Sequence, residues 1–283
     1  MSIRCPPEMV DHIIDSLQGN PETLKQCCLV SKSWVSRSRK HLFGTVMFVG
    51  PDDIAAWKRT FTDTSNSPAR HTHTLTIHCP GAFTSADAVE SGWISTFSRL
   101  DRLVLNNHDK FPNDSEISLV ALQNLPPTLK SLSLFSFWIS CPHAFAFIRS
   151  FPFLEDLTLS GGFANESKET QIAISSSTST SPPLTGTLHL GLSGIMSATR
   201  ELLSLPSGLH LKGLRLHWNM EEDVSATAEL VAACLDTLEH LEIVVYDLEG
   251  TFSRFRLGHP LTRIPTHRYI YAPFDRPLES DKT

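Results

Sequence analysis

Leu154-Glu155-Asp156-Leu157-Thr158-Leu159 decides the fold, because close variants of it recur along almost the whole chain. The spacing, Leu-x-x-Leu-x-Leu, returns at Leu100/Leu103/Leu105, Leu129/Leu132/Leu134, Leu211/Leu214/Leu216 and Leu238/Leu241/Ile243. Weaker copies stand at Phe43/Val46/Phe48, Thr72/Leu75/Ile77 and Thr185/Leu188/Leu190. The central positions (46, 75, 103, 132, 157, 188, 214 and 241) are separated by 29, 28, 29, 25, 31, 26 and 27 residues. A near-constant interval of this size marks a chain built by stacking one supersecondary unit, here a short strand plus a helix. An α/β fold is expected, with the strands side by side in a parallel sheet and each unit burying its neighbour's leucines.

Segments at helical spacing lie between the strands. Ile54, Trp57 and Phe61 fall three and four residues apart, and Thr84 or Ser85 can cap a segment carrying Val89, Trp93, Ile94 and Phe97. Pro142 opens a stretch leading to Phe145, Ile148 and Phe151. Glu221, Glu222 and Asp223 begin another, where carboxylates suit the positive end of the helix dipole, with Val224, Ala228, Val231 and Leu235 turned inward. Together, motif and period resemble the leucine-rich-repeat family, which implies an irregular β–α solenoid with helices outside and strands on the concave side. The likeness departs from that family at the turn. Eight residues after the first leucine an Asn or Cys is usual; Pro51, Pro80, His108, Phe137, Gly162 and Tyr246 stand there instead, and only Asn219 fits. Irregular curvature and missing strands are therefore expected.

The first fifty residues do not follow the repeat. Met9, Val10, Ile13, Ile14 and Leu17 share helical spacing behind Pro6-Pro7-Glu8, and Gly19 ends that helix. Asn20 followed by Pro21 is an N-cap with a first-turn proline, opening a second helix with Leu24, Cys27, Cys28, Leu29 and Val30. A third helix runs from about Ser31 to Leu42 with Trp34 and Val35. Three short helices make a thin core, and such small units usually need a partner or an attached domain.

Cys5-Pro6-Pro7-Glu8, Ile13-Ile14, Leu17, Leu24, the string CCLVSKSW over Cys27–Trp34, and Leu42-Phe43 resemble an F-box. Val30, Ser31 and Trp34 match its Leu-Val-Ser-x-x-Trp form, while Cys5 departs from the family's leading leucine. The resemblance implies that residues 4–49 dock onto the Skp1 adaptor of a cullin-RING ubiquitin ligase. Carried over by position, Pro6, Ile13, Leu17, Leu24, Leu29, Val30 and Trp34 would face or support that contact. An aromatic anchor among aliphatic neighbours is also what an interface core requires. Residues 50–250 would then form the repeat domain that recognises a target, and 251–283 a terminal cap or tail.

The composition fits a protein-binding module. With 41% hydrophobic and 19% charged residues and a net charge of −6, the chain lacks the basic surface that general nucleic-acid binding needs. The charge is uneven, since six Lys/Arg against three Asp/Glu lie from Gly250 onward. Phe252 and Phe255 there are suited to covering the last strand. The six cysteines (Cys5, Cys27, Cys28, Cys79, Cys141, Cys234) form no C-x-x-C pair, so buried reduced thiols are expected rather than disulfides or zinc ligands. No signal-peptide core and no membrane-length apolar run is present, which points to the cytoplasm or nucleus and leaves the sequons at Asn113 and Asn165 idle. A Ser/Thr run from Ser175 to Pro183 reads as a surface loop.

Side chains between the buried leucines point to the other face of the sheet. That outward set includes Arg102, Asn106 and Asp156, then His189, Arg215, His217 and Glu242, and it is the expected target-binding surface. His71 and His73 share a strand face that His78 does not, so no metal site is expected. G-x-S-x-G, H-E-x-x-H, the P-loop and the dinucleotide fingerprint are all missing, so neither a catalytic residue nor a cofactor is expected. The expected function is substrate recognition within an SCF-type ligase, with no chemistry of its own. The alternative is an interaction scaffold outside any ligase, whose F-box is degenerate.

Overall fold

The order of strands along the chain is also their order in space. In a computed structural model, β1 (Thr45–Phe48), β2 (Thr74–His78), β3 (Arg102–Asn106), β4 (Ser131–Ile139), β5 (Asp156–Phe163), β6 (Thr187–Ser193), β7 (Gly213–Trp218), β8 (His240–Tyr246) and β9 (Phe252–Gly258) form one nine-stranded sheet. The structure describes residues 6–78, 91–106, 122, 124–139, 141–163, 183–193, 195–205, 207–218, 223–246 and 252–258. Strands β1 to β8 pair in parallel, and β9 returns antiparallel to β8. The Ser/Thr run from residue 175, both sequons and the tail beyond 258 lie outside the described residues, as does the proposed cap at Thr84 or Ser85.

The register reproduces the sequence period. Val46, Leu75, Leu103, Leu132, Leu157, Leu188, Leu214 and Leu241 are successive Cα partners across the sheet, one from each repeat. None of these eight positions lacks a strand, so the expectation of missing strands is overturned even for the weak copies at Val46, Leu75 and Leu188. The reason is that a strand here needs only its two inward apolar residues, not the turn asparagine. Leu75, Leu103, Leu132 and Leu188 are completely buried, and the second row, including Ile77, Leu105, Leu159 and Leu216, is nearly so. Burying each such side chain contributes ~1.5–3 kcal/mol relative to leaving it in water.

A second ladder runs beside the first. At the start of β2 the backbone N–H groups of His73 and Thr74 both donate to the Gly44 carbonyl. Asp101 and Arg102 donate likewise to His73, Lys130 and Ser131 to Asp101, and Glu155 and Asp156 to Lys130. The pattern resumes with Lys212 and Gly213 on Gly186, then Glu239 and His240 on Lys212. It is broken once. Between Glu155 and Gly186 only the Gly186 N–H reaches the carbonyl, at 3.0 Å, and the next N–H, of Thr187, donates to Asp156 Oδ1 at 2.8 Å. A Cβ on Gly186 would sit 2.4 Å from the Glu155 carbonyl oxygen, so the close approach of these two turns requires glycine.

Helices cover the leucine face. Besides α1 (Pro7–Ser16), α2 (Pro21–Val30) and α3 (Lys32–Leu42), the described helices are α4 (Pro51–Thr60), α5 (Cys141–Arg149), α6 (Ile195–Leu203) and α7 (Asp223–Cys234). A 3-10 segment, Ser91–Thr96, forms the described part of the stretch expected to be helical from Thr84 or Ser85. Ile54 of α4, Phe145 and Ile148 of α5, Ala198 and Leu202 of α6, and Ala226 and Leu230 of α7 join the strand leucines in one continuous core. α4 also carries Asp52 and Asp53 in its first turn and Lys58 and Arg59 in its last, matching the helix dipole at both ends.

Two divisions of the sequence are redrawn. β1 lies inside the 4–49 segment yet is the first strand of the sheet, and β9 carries the sheet into the 251–283 segment. The eight repeat strands form the expected parallel sheet, and β9 adds an antiparallel edge strand within the segment read as a terminal cap, with Phe255 and Leu257 as register partners of Ile243 and Leu241.

Candidate functional site

The three leading helices form a unit with its own small core. Ile14, Leu24 and Cys27 are buried and stand apart from the continuous core of the sheet. The Asn20 Oδ1 accepts the Thr23 N–H at 3.0 Å, so the cap and first-turn proline act as read from the sequence. Asp15 ties α1 to α3, accepting from Arg37 Nε at 2.7 Å and lying 2.6 Å from His41 Nε2. These hydrogen bonds, Arg37's first, hold the Asp15 carboxyl well below the usual carboxylate range.

The apolar stripe of α1 turns out to be two edges. Val10, Ile14 and Leu17 recur at spacings that return to one side of a helix, and Ile14 is fully buried there with the other two half-buried. Met9 and Ile13 lie on the other edge, 58% and 43% exposed. At the end of α2, Leu29 is 79% and Val30 64% exposed. Large aliphatic groups left in water at this density on so small a unit mark a surface that meets something else. Among the residues expected at the contact, Pro6, Ile13, Leu29 and Val30 are exposed, and Leu17 and Trp34 are half-buried. Leu24 is 1% exposed, so it supports the unit from within. The sequence put Met9 on one apolar stripe with Val10, Ile13, Ile14 and Leu17; helical spacing alone does not say which edge of a broad stripe is covered.

The helical unit is fixed firmly to the sheet. Thr72 Oγ1 donates to the Phe43 carbonyl at 2.8 Å, and Arg39 Nη2 donates to the Asn66 carbonyl at 3.1 Å. Trp57 packs against four aromatic rings: Phe43 at the end of α3, Phe48 of β1, Phe61, and Phe97 beyond the 3-10 segment, with centroids 4.7 to 6.1 Å apart across the cluster. Edge-on and stacked ring pairs of this kind add specific geometry to the burial they supply.

The face opposite the leucines has two characters. Toward β1 it is apolar and small: Met47 and Val49 are 58% and 57% exposed, followed by Thr76, Val104, Ser133 and Phe135. Toward β8 it is charged. The register places His189 opposite Arg215 and Arg215 opposite Glu242 on three adjacent strands. Arg215 Nε is 3.4 Å from Glu242 Oε2, an ion pair by distance without the alignment of a hydrogen bond. The His189 and His217 rings lie 4.8 Å apart on neighbouring strands. Burial above all, then the charges of His217 and Arg215, depress the His189 pKa to about 4, so this imidazole stays neutral at physiological pH.

The seven outward residues singled out in the sequence therefore divide. His189, Arg215, His217 and Glu242 come together. Arg102 and Asn106 on β3 lie four strands from Arg215, roughly 19 Å at ~4.8 Å per strand. Asp156 has a structural task, replacing with its side chain the backbone acceptor lost at the Gly186 step. Sequence reading missed the place of Arg254 and Arg256, treated as part of a capping tail. Their alternation with Phe255 and Leu257 is the sequence signal of a strand, and they fall within β9.

Nothing elsewhere in the described residues gathers catalytic groups. No three His, Cys, Asp or Glu side chains there are grouped to hold a metal. A cleft of about 310 Å³ between the ends of α6 and α7 is lined by Leu203, His210, Cys234, Asp236 and Thr237, among others. Cys234 is 1% exposed and burial pushes its thiol pKa up, the reverse of what a nucleophile needs. No described helix is long and apolar enough to cross a membrane. Compared with protein-family models, curated proteins and solved structures, the chain matches none.

Proposed function

We propose that this chain is the substrate-recognition subunit of an SCF-type cullin-RING ubiquitin ligase. In this reading residues 4–49 are an F-box that binds a Skp1-type adaptor, and through it a cullin. The sheet and its helices are an irregular leucine-rich-repeat-like solenoid that presents a target protein, in the cytoplasm or nucleus. The observation that carries the reading is the exposure of Met9, Ile13, Leu29 and Val30 on the same helical unit whose residue order resembles the F-box. An unaccompanied three-helix unit gains nothing from keeping four large aliphatic groups in water, whereas a hydrophobic interface core requires them. The aromatic joint around Trp57 supports the same reading, because a ligase must hold its target at a set distance from the transferred ubiquitin.

Co-purification of the full chain with a Skp1-type adaptor and a cullin tests this. The wild type should retain both, and Leu29→Asp with Val30→Asp, two substitutions at exposed positions, should lose both while the circular dichroism stays unchanged. Failure of the wild type to bind the adaptor would overturn the reading. Adaptor without cullin would convert it to the scaffold alternative.

A further inference from the structure

Charge is segregated along this chain. Residues 31–78 hold seven Lys/Arg and three Asp/Glu, so this segment carries +4 while the rest of the chain carries −10. Part of that surplus comes together where the helical unit meets the sheet. Arg39 and Lys40 lie in the last turn of α3, and Arg70 in the 3-10 turn Pro68–His71. Arg99 stands four residues before Leu103, as His71 stands four before its register partner Leu75. Arg39 Nη2 and Arg70 Nη1 donate to neighbouring carbonyls, those of Asn66 and Ser65, at 3.1 and 3.4 Å. Arg70 Nε also donates to His71 Nε2 at 3.4 Å. Burial first, and then the charges of Arg70, Arg39, Arg99 and Lys40, lower the His71 pKa, so all four cations act on one imidazole.

We infer that this junction, formed by Arg39, Lys40, Arg70 and Arg99, is a docking surface for a carboxylate-rich segment of a partner protein. Arg37 and His41 of α3 hold α1 through Asp15, whereas Arg39 turns the other way, to Asn66. The patch is therefore a surface apart from the α1 edge that carries Met9 and Ile13. Charge complementarity selects the occupant. Lys40, Arg70 and Arg99 are exposed and Arg39 is half-buried. Among the described residues no carboxylate forms an ion pair with any of the four, and Lys40 and Arg99 make no side-chain hydrogen bond. Carboxylates on the adjoining segments are engaged elsewhere: Asp63 accepts from Ser65 and Asn66, Asp101 pairs with His73, and Asp15 with Arg37. Arginine is the residue best suited to paired contacts with carboxylates. Arg39 and Lys40 lie at the electronegative end of α3, the opposite of the N–H-rich end that cradles phosphate, so single carboxylates spaced along a chain suit the patch better than one phosphate group. Dimensions limit the occupant. The patch spans the entries to three strands, two steps of ~4.8 Å, the length of about three residues of extended peptide. Further along the same edge Lys130 is already paired with Glu155 at 3.5 Å. A long polyanion would run past the patch onto a remainder that is strongly acidic, where it is repelled.

Fluorescence anisotropy of the full chain with a labelled Glu-rich peptide tests the surface, with the same peptide carrying Gln for Glu as the control. The Glu peptide should bind, the Gln peptide should not, and affinity should fall as salt rises, because the contacts are exposed. Lys40→Gln with Arg99→Gln should weaken binding about tenfold. The unfolding midpoint should stay where it is, since neither side chain has a partner to lose. Arg70→Gln should weaken binding in the same direction and provides an independent variant. Equal binding of the two peptides, or unchanged binding in both variants, would overturn the proposal. So would tighter binding of a phosphoserine peptide of equal net charge or of a single-stranded oligonucleotide, or self-association of the chain that the double variant abolishes. Adaptor co-purification read in parallel keeps this surface distinct from the ligase reading. The double variant should retain whatever adaptor the wild type holds, and its loss would assign these residues to the adaptor contact and overturn the separate surface. A chain that binds the Glu peptide but no adaptor keeps the surface and loses the ligase reading.

Discussion

The helical unit and the sheet solve the same problem with opposite success. Across β1 to β7 each strand buries its two inward apolar residues almost completely, because every unit is covered by the next and by helices behind. The three leading helices bury Ile14, Leu24 and Cys27 but leave Met9, Ile13, Leu29 and Val30 in water. Repetition lets the sheet enclose leucines without limit of size, whereas some forty residues have too much surface for their volume. Stability therefore resides in one region and unsatisfied apolar surface in the other. Substitutions should distinguish them.

The largest effect belongs to the sheet. Leu132→Ala, in the middle of the central ladder, should cost ~2–5 kcal/mol in denaturant unfolding, since neighbouring layers on both sides cannot collapse into the void. Gly186→Ala should follow at ~1–3 kcal/mol, because its Cβ is forced against the Glu155 carbonyl and one turn must move. An alanine at Gly208, where added bulk meets nothing, separates crowding from backbone strain: φ is +72° there, so any cost comes from conformation alone.

Smaller effects concern pH. Asp15 has an ordinary pKa of 3.8 that its partners lower in the folded chain. Its contribution is thus complete above that value and is lost as the pH falls through the lowered one. Asp15→Asn should destabilise the helical unit at neutral pH and flatten the acid limb of its unfolding curve. His189 acts in the same direction, over a higher pH window. Between pH 6.5 and about 4 the unfolded chain takes up a proton that the folded chain refuses, so stability falls as pH drops through that window. His189→Asn should remove that slope, measured as midpoint against pH.

The smallest effect on stability is also the most informative. Leu29→Gln should change unfolding by no more than about 0.5 kcal/mol, since the side chain is already in water, while abolishing adaptor binding. A loss of more than that would place Leu29 in the core and weaken the contrast between the two regions.

Legibility in the sequence follows the same contrast. The eight parallel strands could be read, weak copies included, because inward alternation is a local property that each repeat restates. The N-cap at Asn20 could be read for the same reason. The task of Asp156 could not, because it exists only where the turns of two successive repeats, 31 residues apart, happen to share a carbonyl once instead of twice. Which edge of α1 faces outward was equally hidden, since Met9 and Ile13 differ from Val10 and Ile14 only in what stands beside them. The gathering of His189, Arg215 and Glu242 was half visible: the residues were outward, but their adjacency needed the register.

The reversal of β9 has a further consequence for the length of the molecule. From β2 on, each parallel strand begins where the preceding one began, and at every one but β6 a single carbonyl of the preceding turn receives two successive N–H groups. β9 begins at the far end of β8, with Phe252 opposite Tyr246, so beyond it the next such acceptor is on the wrong side of the sheet. A ninth unit of the same kind would find nothing to start from. One strand running backwards thus ends the parallel series among the described residues.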